Sequence, residues 1–265
     1  MSDVTREKPA HAPMDQFRSE NGELLVGGIP LRRLAAQVGQ TPFYAYDRSL
    51  LDRRVAELRA ALPAEIKIHY AMKANPDLRI LETMIDKNAD FDVASDGEIR
   101  TLASLGVPGE KMIYANPIKT EAGLKACVDA GVTRMTFDSE SEICKIAKWV
   151  PHATVLLRLR IDNPKAHVDL NKKFGAPREK ALSLMRLARQ AGLDMAGIAF
   201  HVGSQVTTAD SYLHAFDVVH ELLEEAKNEG FDLPIMDIGG GFPIPETGVH
   251  YNLTAILDQI AARLR

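Results

Sequence analysis

Residues 69–76 read His-Tyr-Ala-Met-Lys-Ala-Asn-Pro, and this stretch decides how the rest of the chain is interpreted. It closes an apolar segment, residues 66–72, that is predicted to be a strand, and it precedes a helical pattern. Lys73 therefore stands at the carboxyl end of a strand. Apolar surroundings at that place favour a neutral, nucleophilic amine. A single lysine after a strand is most often a solvated loop residue, so the prediction depends on other motifs.

Strand-like segments followed by helical patterns recur roughly every 20–40 residues, the length of one βα unit. The predicted strands span residues 66–72, 90–94, 111–115, 134–137, 154–160, 196–202 and 235–238. Sequential βα units without hairpin signals indicate parallel strands joined by right-handed crossovers. Polar residues follow most of these strands, which favours a (β/α)₈ barrel of the TIM type over an open doubly wound sheet. Only seven strands can be counted, so we expect the last strand to be missing.

Composition limits the class of protein. The chain has 265 residues, a formal charge of −4 and 46% hydrophobic residues, which fits a soluble globular protein rather than a disordered or membrane one. It is the βα repeat that predicts the α/β class. No basic cluster indicates nucleic acid, and no apolar run has membrane-spanning length. The two cysteines, Cys127 and Cys144, form no CxxC motif and predict no metal site.

The chain is predicted to have three parts. Residues 1–20 are polar and contain Pro9 and Pro13, which predicts a disordered tail without a secretory signal and a cytoplasmic location. Residues 21–47 are predicted to hold two short strands, 23–26 and 43–46, on either side of an amphipathic piece at 31–38. Residues 48–265 are predicted to form the barrel.

A run of three glycines, Gly239, Gly240 and Gly241, follows the seventh predicted strand. Glycines let the backbone approach an anion closely and present several N–H donors to it. The phosphate site of a barrel lies after its last strands, which favours a binding role over a flexible turn. No Walker motif follows, so hydrolysis of nucleoside triphosphates is not indicated.

His201 and Ser204 end the sixth predicted strand in the sequence Phe-His-Val-Gly-Ser-Gln. The flat imidazole of His201 can stack on an aromatic cofactor, and the Ser204 hydroxyl can bind a phosphate oxygen. A single histidine at a strand end is more often a hydrogen-bonded structural residue. Its position beside the other motifs favours the binding role.

Three charged residues lie on or just after predicted strands. Asp92 stands where the strand alternation favours an apolar side chain, and Arg158 lies within an apolar strand and so requires an anionic or polar partner. Glu98 lies in the first turn of a predicted helix, where a capping role with Ser95 is the simplest interpretation.

Together these motifs resemble the fold-type III pyridoxal-phosphate decarboxylases, which act on ornithine, diaminopimelate or arginine and have an alanine-racemase-like barrel. The resemblance runs from about Thr41 to Pro243. The sequences at 113–117, 135–140 and 173–176 favour the ornithine decarboxylase branch.

The resemblance implies a role for each motif. Lys73 would join pyridoxal 5'-phosphate as a Schiff base, and His201 would stack on the cofactor ring as the second catalytic residue. Ser204 and the turn of Gly239, Gly240 and Gly241 would hold the phosphate. The residues expected to line the ring are Asp92, Glu98 and Arg158. The reaction implied is loss of carbon dioxide from a basic amino acid, with ornithine giving putrescine, in a cytoplasmic homodimer.

Family members extend further, so the resemblance also implies that the eighth strand and a C-terminal β-domain are absent here, and that residues 21–47 would join that domain. Glu246 is not a convincing replacement for the carboxylate that the family places at the pyridine nitrogen. Three alternatives remain open: a diaminopimelate decarboxylase, a pyridoxal-phosphate binder without catalysis, and a racemase.

Overall fold

The computed structural model describes residues 17–161, 173–244 and 251–264. Most of the predicted tail and Glu246 therefore lie outside the described residues. The described part begins with a small antiparallel sheet of β1 (Ser19–Glu20), β2 (Glu23–Val26) and β3 (Ile29–Pro30), followed by α1 (Leu31–Val38) and α2 (Arg48–Ala61).

The strand predicted at residues 43–46 is wrong. These residues join no sheet, and the side chains of Tyr44 and Tyr46 are 88% and 53% exposed. An aromatic, strand-like pattern forms a strand only where a partner backbone lies beside it. In the described structure, the nearby small sheet ends at β3 and offers none.

Seven parallel strands form the main sheet as an open half-barrel, and their spatial order follows their order in the chain. They are β4 (His69–Ala71), β5 (Asp90–Val93), β6 (Met112–Tyr114), β7 (Arg134–Phe137), β8 (Thr154–Arg158), β9 (Asp194–Ala199) and β10 (Ile235–Asp237). This confirms the barrel-type topology and, for the part of the chain that the structure describes, the count of seven strands. Most strands are shorter than predicted, since the apolar pattern continues into the turns at their ends.

Helices cover the convex side of the sheet. They are α3 (Leu78–Asp86), α4 (Asp96–Ser104), α5 (Glu121–Ala130), α6 (Glu140–Trp149), α7 (Ala181–Gln190), α8 (Asp210–Asn228) and α9 (Leu253–Leu264). Several begin at a side-chain cap: Asp77, Ser95 and Thr120 each accept a backbone N–H of the first turn. No helix among the described residues is long and apolar enough to cross a membrane.

Strand alternation separates the two faces of the sheet. Phe91 and Val93 are buried in the large core shared with the helices, so Asp92 between them points to the concave face. Ile113, Leu156 and Ala199 form a separate small cluster on that concave face. Because Arg158 and His201 lie two residues beyond Leu156 and Ala199, the same alternation directs their side chains into the mouth of the half-barrel.

Candidate active site

Lys73 follows β4 in a short 3₁₀ turn, Met72–Ala74. Its Nζ lies 3.9 Å from Oδ2 of Asp92 on the next strand. The Tyr70 hydroxyl donates to the Asn75 carbonyl at 3.1 Å, which ties the far end of this turn back to the strand. The Lys73 side chain is 69% exposed, so the expected desolvation by the strand floor was wrong: the turn lifts the amine past the apolar strand residues toward the mouth.

Asp92 is a largely buried carboxylate in a charged surrounding. Its pKa is raised to about 6, mainly by burial; charge repulsion from Asp237 and Glu98 also raises it, while Lys73 and Arg158 oppose the shift. At neutral pH Asp92 is mainly ionised and can pair with a cation. Near pH 6 it holds a proton in about half of the molecules.

Glu98 performs the capping role that its position suggested. Its N–H donates to Ser95 Oγ at 3.3 Å, and its Oε2 accepts the N–H of Ala94 at 2.6 Å. These two bonds fix the junction between β5 and α4. The carboxylate also acts electrostatically on Asp92, so Glu98 borders the site.

Arg158 supplies the positive charge at the end of β8. Burial lowers its pKa, and the neighbouring carboxylates of Asp237, Asp138 and Asp92 counteract this shift. The guanidinium also lies 5.6 Å from the ring centroid of Phe174. Since an arginine keeps its charge in proteins, Arg158 provides a fixed cation among three carboxylates.

His201 is neutral in this environment. Burial lowers its pKa to about 4, and the positive charges of Arg158 and Lys73 add to the shift. Its Nδ1 accepts the N–H of Gly203 at 3.0 Å, so the neutral ring carries its proton on Nε2. The imidazole thus presents a flat, uncharged surface with one N–H donor.

The glycine turn lies beside His201 and requires glycine at two positions. Gly239 and Gly241 have φ of +67° and +97°. A Cβ on Gly241 would lie 2.1 Å from the Gly203 carbonyl oxygen, and one on Gly239 would lie 2.5 Å from the Phe200 carbonyl oxygen. The backbone of the turn therefore packs directly against the strand end that carries His201.

Ser204 belongs to the segment that packs on this turn. Its neighbour Gly203 touches the turn at Gly241, and Val206 donates its N–H to the Gly241 carbonyl at 2.9 Å. Ser204 is half-buried between these two contacts. The described structure thus brings together the predicted residues Lys73, Asp92, Arg158 and His201 at one mouth, with Ser204 and the three glycines at its side.

These residues fit a planar aromatic cofactor with a phosphate group. The turn offers backbone N–H groups with no side chain in the way, which suits a phosphate. A neutral imidazole suits stacking on a ring, and an exposed primary amine suits covalent attachment of an aldehyde. Among the described residues, no cluster of histidine, cysteine or carboxylate side chains could hold a metal ion.

Two residues of this site were not predicted from the sequence. Asp237 Oδ1 accepts the Gly239 N–H at 2.8 Å, and the Tyr212 hydroxyl donates to the Gly240 carbonyl at 2.8 Å. Strand alternation could have indicated Asp237, which lies on the concave face. Tyr212 gave no signal, since a tyrosine in an amphipathic helix is usually a core residue.

Comparison with known families now defines the class of protein. Residues 48–265 match the family model for the pyridoxal-binding domain of pyridoxal-dependent decarboxylases. The chain belongs to this family, which confirms the resemblance found in the sequence, and pyridoxal phosphate is its cofactor.

The chain is also similar to individual proteins of known name. The chain is 47% identical over 221 residues to the lysine/ornithine decarboxylase of Selenomonas ruminantium, covering 83% of this chain and 56% of that protein. It is 34% identical over 217 residues to antizyme inhibitor 2 of Xenopus laevis, covering 80% and 47%. The crystal structure of SrLDC with pyridoxal phosphate and cadaverine superposes with a TM-score of 0.84 at 41% identity, covering 93% and 60%. The chain spans about half the length of the curated relatives it matches.

Proposed function

We propose that this chain supplies the cofactor-binding part of the active site of an amino-acid decarboxylase that acts on basic amino acids. The observation that carries the proposal is the meeting of the Lys73 amine, the neutral His201 ring and the glycine turn at one mouth of the half-barrel. The strong similarity to a lysine/ornithine decarboxylase supports this substrate class.

Each residue has a distinct task in this proposal. When bound, pyridoxal phosphate supplies the electron-accepting ring into which the electrons of the broken Cα–carboxylate bond pass. Lys73 provides the amine to which the cofactor is attached. His201 provides a flat, neutral surface for the ring, and the turn of Gly239, Gly240 and Gly241, with Ser204, holds the phosphate.

The charged residues orient the cofactor and control protons. Asp92 lies 3.9 Å from the Lys73 amine, so its carboxylate can hold the ammonium form when the amine is released from the cofactor. Arg158 balances the surrounding carboxylates, and Glu98 keeps the β5–α4 junction in place. With both neighbours charged, a neutral His201 avoids adding a third positive charge beside Lys73 and Arg158.

Ornithine, giving putrescine, is the substrate we propose, with lysine as the nearest competitor. A homodimer and a cytoplasmic location belong to the same proposal. We also propose a domain division in which residues 21–47 belong to a unit separate from the barrel at 48–265. The separate small sheet of β1 to β3 supports that division.

A non-catalytic pyridoxal-phosphate binder is the second candidate. It is favoured by the 34% identity to antizyme inhibitor 2, whose name describes a regulator. Carbon dioxide release from ornithine, lysine and diaminopimelate, measured after addition of pyridoxal phosphate, separates the two candidates. Release from ornithine or lysine supports the decarboxylase, and cofactor binding without any release supports the binder.

The role of Lys73 is tested by replacing it with alanine. Wild-type protein mixed with pyridoxal phosphate should show the visible absorption band of lysine-bound cofactor, and Lys73→Ala should abolish it, because Lys73 is the amine that lies beside Asp92 at the mouth. Lys125→Ala is the matched control, since Lys125 is similarly exposed (63%) but lies on α5 in a pair with Asp129. A band that survives in Lys73→Ala contradicts the assignment.

A further inference from the structure

Tyr212 is a fully buried residue of the first turn of α8 that reaches the glycine turn from outside the motif. Its hydroxyl donates to the Gly240 carbonyl at 2.8 Å. Its ring stacks on Phe242 with centroids 5.4 Å apart and an angle of 15°. Burial raises the pKa of Tyr212, so the hydroxyl remains protonated and remains a donor at neutral pH. Two contacts thus hold the ring against the residues on either side of Gly241.

Because the peptide bond is planar, the hydrogen bond from Tyr212 to the Gly240 carbonyl also sets the direction of the Gly241 N–H. The carbonyl of Gly240 and the N–H of Gly241 belong to one planar trans peptide, so they point in opposite directions. When Tyr212 holds the carbonyl on its own side, the Gly241 N–H is directed away from α8. Without the hydroxyl, this peptide between two glycines rotates more easily, since neither residue has a Cβ to oppose the rotation.

The other polar groups of the turn leave few donors for an anion. Asp237 occupies the Gly239 N–H, and Val206 occupies the Gly241 carbonyl. Within the described residues, the N–H groups of Gly240 and Gly241 have no hydrogen-bond partner. These two groups are the turn's available donors, and Tyr212 controls the direction of one of them.

We propose that Tyr212 is a positioning residue for the cofactor's phosphate group: its hydroxyl fixes the Gly240–Gly241 peptide so that the Gly241 N–H binds a phosphate oxygen. This inference rests on the proposed function, since it assumes that the glycine turn holds pyridoxal phosphate. It adds a residue outside the motifs and predicts which part of the cofactor that residue serves.

The test compares two ligands that differ only in the phosphate. Binding of pyridoxal phosphate and of pyridoxal to the full chain is measured by absorbance titration for wild type and Tyr212→Phe. We expect Tyr212→Phe to weaken pyridoxal phosphate binding roughly 3- to 10-fold, the size of one lost hydrogen bond, and to leave pyridoxal binding unchanged. The ³¹P resonance of the bound phosphate should also shift.

Tyr114→Phe is the matched control. Tyr114 is also a buried tyrosine, but it lies on β6 against Gly123 and outside the site, so both affinities should stay at their wild-type values. Equal weakening of both ligands in Tyr212→Phe, no change in either, or loss of the native circular dichroism spectrum would each overturn the positioning role. Failure of wild type to bind pyridoxal phosphate overturns the proposed function itself, a result distinct from any of these.

Discussion

Two residues of the site have pKa values shifted in opposite directions, and burial is the largest cause in both. Burial disfavours the charged form of each group, so it raises the pKa of the acid Asp92 to about 6 and lowers that of the base His201 to about 4. The charges of Lys73 and Arg158 add to the shift of His201 and oppose the shift of Asp92. The mouth therefore contains a neutral imidazole and a carboxylate that titrates unusually high.

These shifts predict opposite effects on stability between about pH 4 and pH 6. Unfolded chains protonate His201 near the ordinary histidine pKa of 6.5 while the folded protein does not, so this residue's contribution to stability is lost as pH falls. Folded Asp92 keeps a proton that the unfolded chain releases above 3.8, so its contribution is lost as pH rises. Relative to wild type, His201→Gln should lose least stability at low pH, and Asp92→Asn should lose least near neutral pH.

Urea unfolding of both variants and wild type across this range measures the free energy of unfolding. His220→Gln, an exposed histidine on α8, controls for removal of an imidazole as such. If the loss of unfolding free energy relative to wild type changes with pH in the same direction for both site variants, the opposite pKa shifts of Asp92 and His201 are contradicted.

At the scale of single residues, the sequence predicted the site residues that interrupt a hydrophobic pattern and missed those that continue one. Asp92 and Arg158 were found because a charge in an apolar strand requires an explanation. Tyr212 was missed because it satisfies the helical pattern of α8, and its contact depends on how α8 packs against the turn. The exposure of Lys73 was mispredicted for a similar reason, since a one-turn 3₁₀ helix leaves no sequence period to detect.

At the scale of elements, a buried ion pair joins the loop that follows β6 to the first turn of α6. Lys119 and Glu142 have side chains 0% and 3% exposed, with Nζ and Oε1 3.3 Å apart. Lys119 Nζ also donates to the carbonyls of Asn116 and Thr136, at the carboxyl ends of the two strands. Burial lowers the Lys119 pKa to about 8, and Glu142 opposes that shift. This network ties together the carboxyl ends of β6 and β7 and the start of α6.

Removing one partner of this pair should be costly. Glu142→Gln leaves the Lys119 ammonium buried without its countercharge, and we expect the free energy of unfolding at pH 7 to fall by about 3–5 kcal/mol. Above pH 8 the cost should shrink, because a neutral amine needs no countercharge. Asp129→Asn breaks the exposed Lys125–Asp129 pair and should cost about 0–1 kcal/mol. Equal costs for the two variants in urea unfolding would disprove the structural role of the buried pair.

Elements with caps and regular periods were predictable, and elements that depend on a partner were not. Ser95, which the sequence indicated as a cap together with Glu98, begins α4 and accepts the Glu98 N–H. In contrast, residues 43–46 have a strand-like composition but no neighbouring strand to pair with. Strand formation is decided by contacts distant in the sequence, which a local pattern does not contain.

At the scale of the whole molecule, the main sheet is open. Among the described residues, no strand pairs with the outer edge of β4 or of β10. The Asp237 carbonyl accepts the Phe200 N–H, so Asp237 bonds toward β9. Because alternate residues of a strand bond to opposite sides, the N–H and carbonyl of Met236 face the open edge. Such an edge is a template for pairing with another chain.

We therefore expect this chain to associate through β10, with an average mass that rises with concentration in light scattering. Met236→Pro should reduce this association, because proline removes the edge-facing N–H while its neighbours keep their bonds to β9. Met236→Ala removes the same half-exposed side chain but keeps the N–H, so it should associate like wild type. If the alanine variant loses association as fully as the proline variant, side-chain contacts rather than edge pairing drive it.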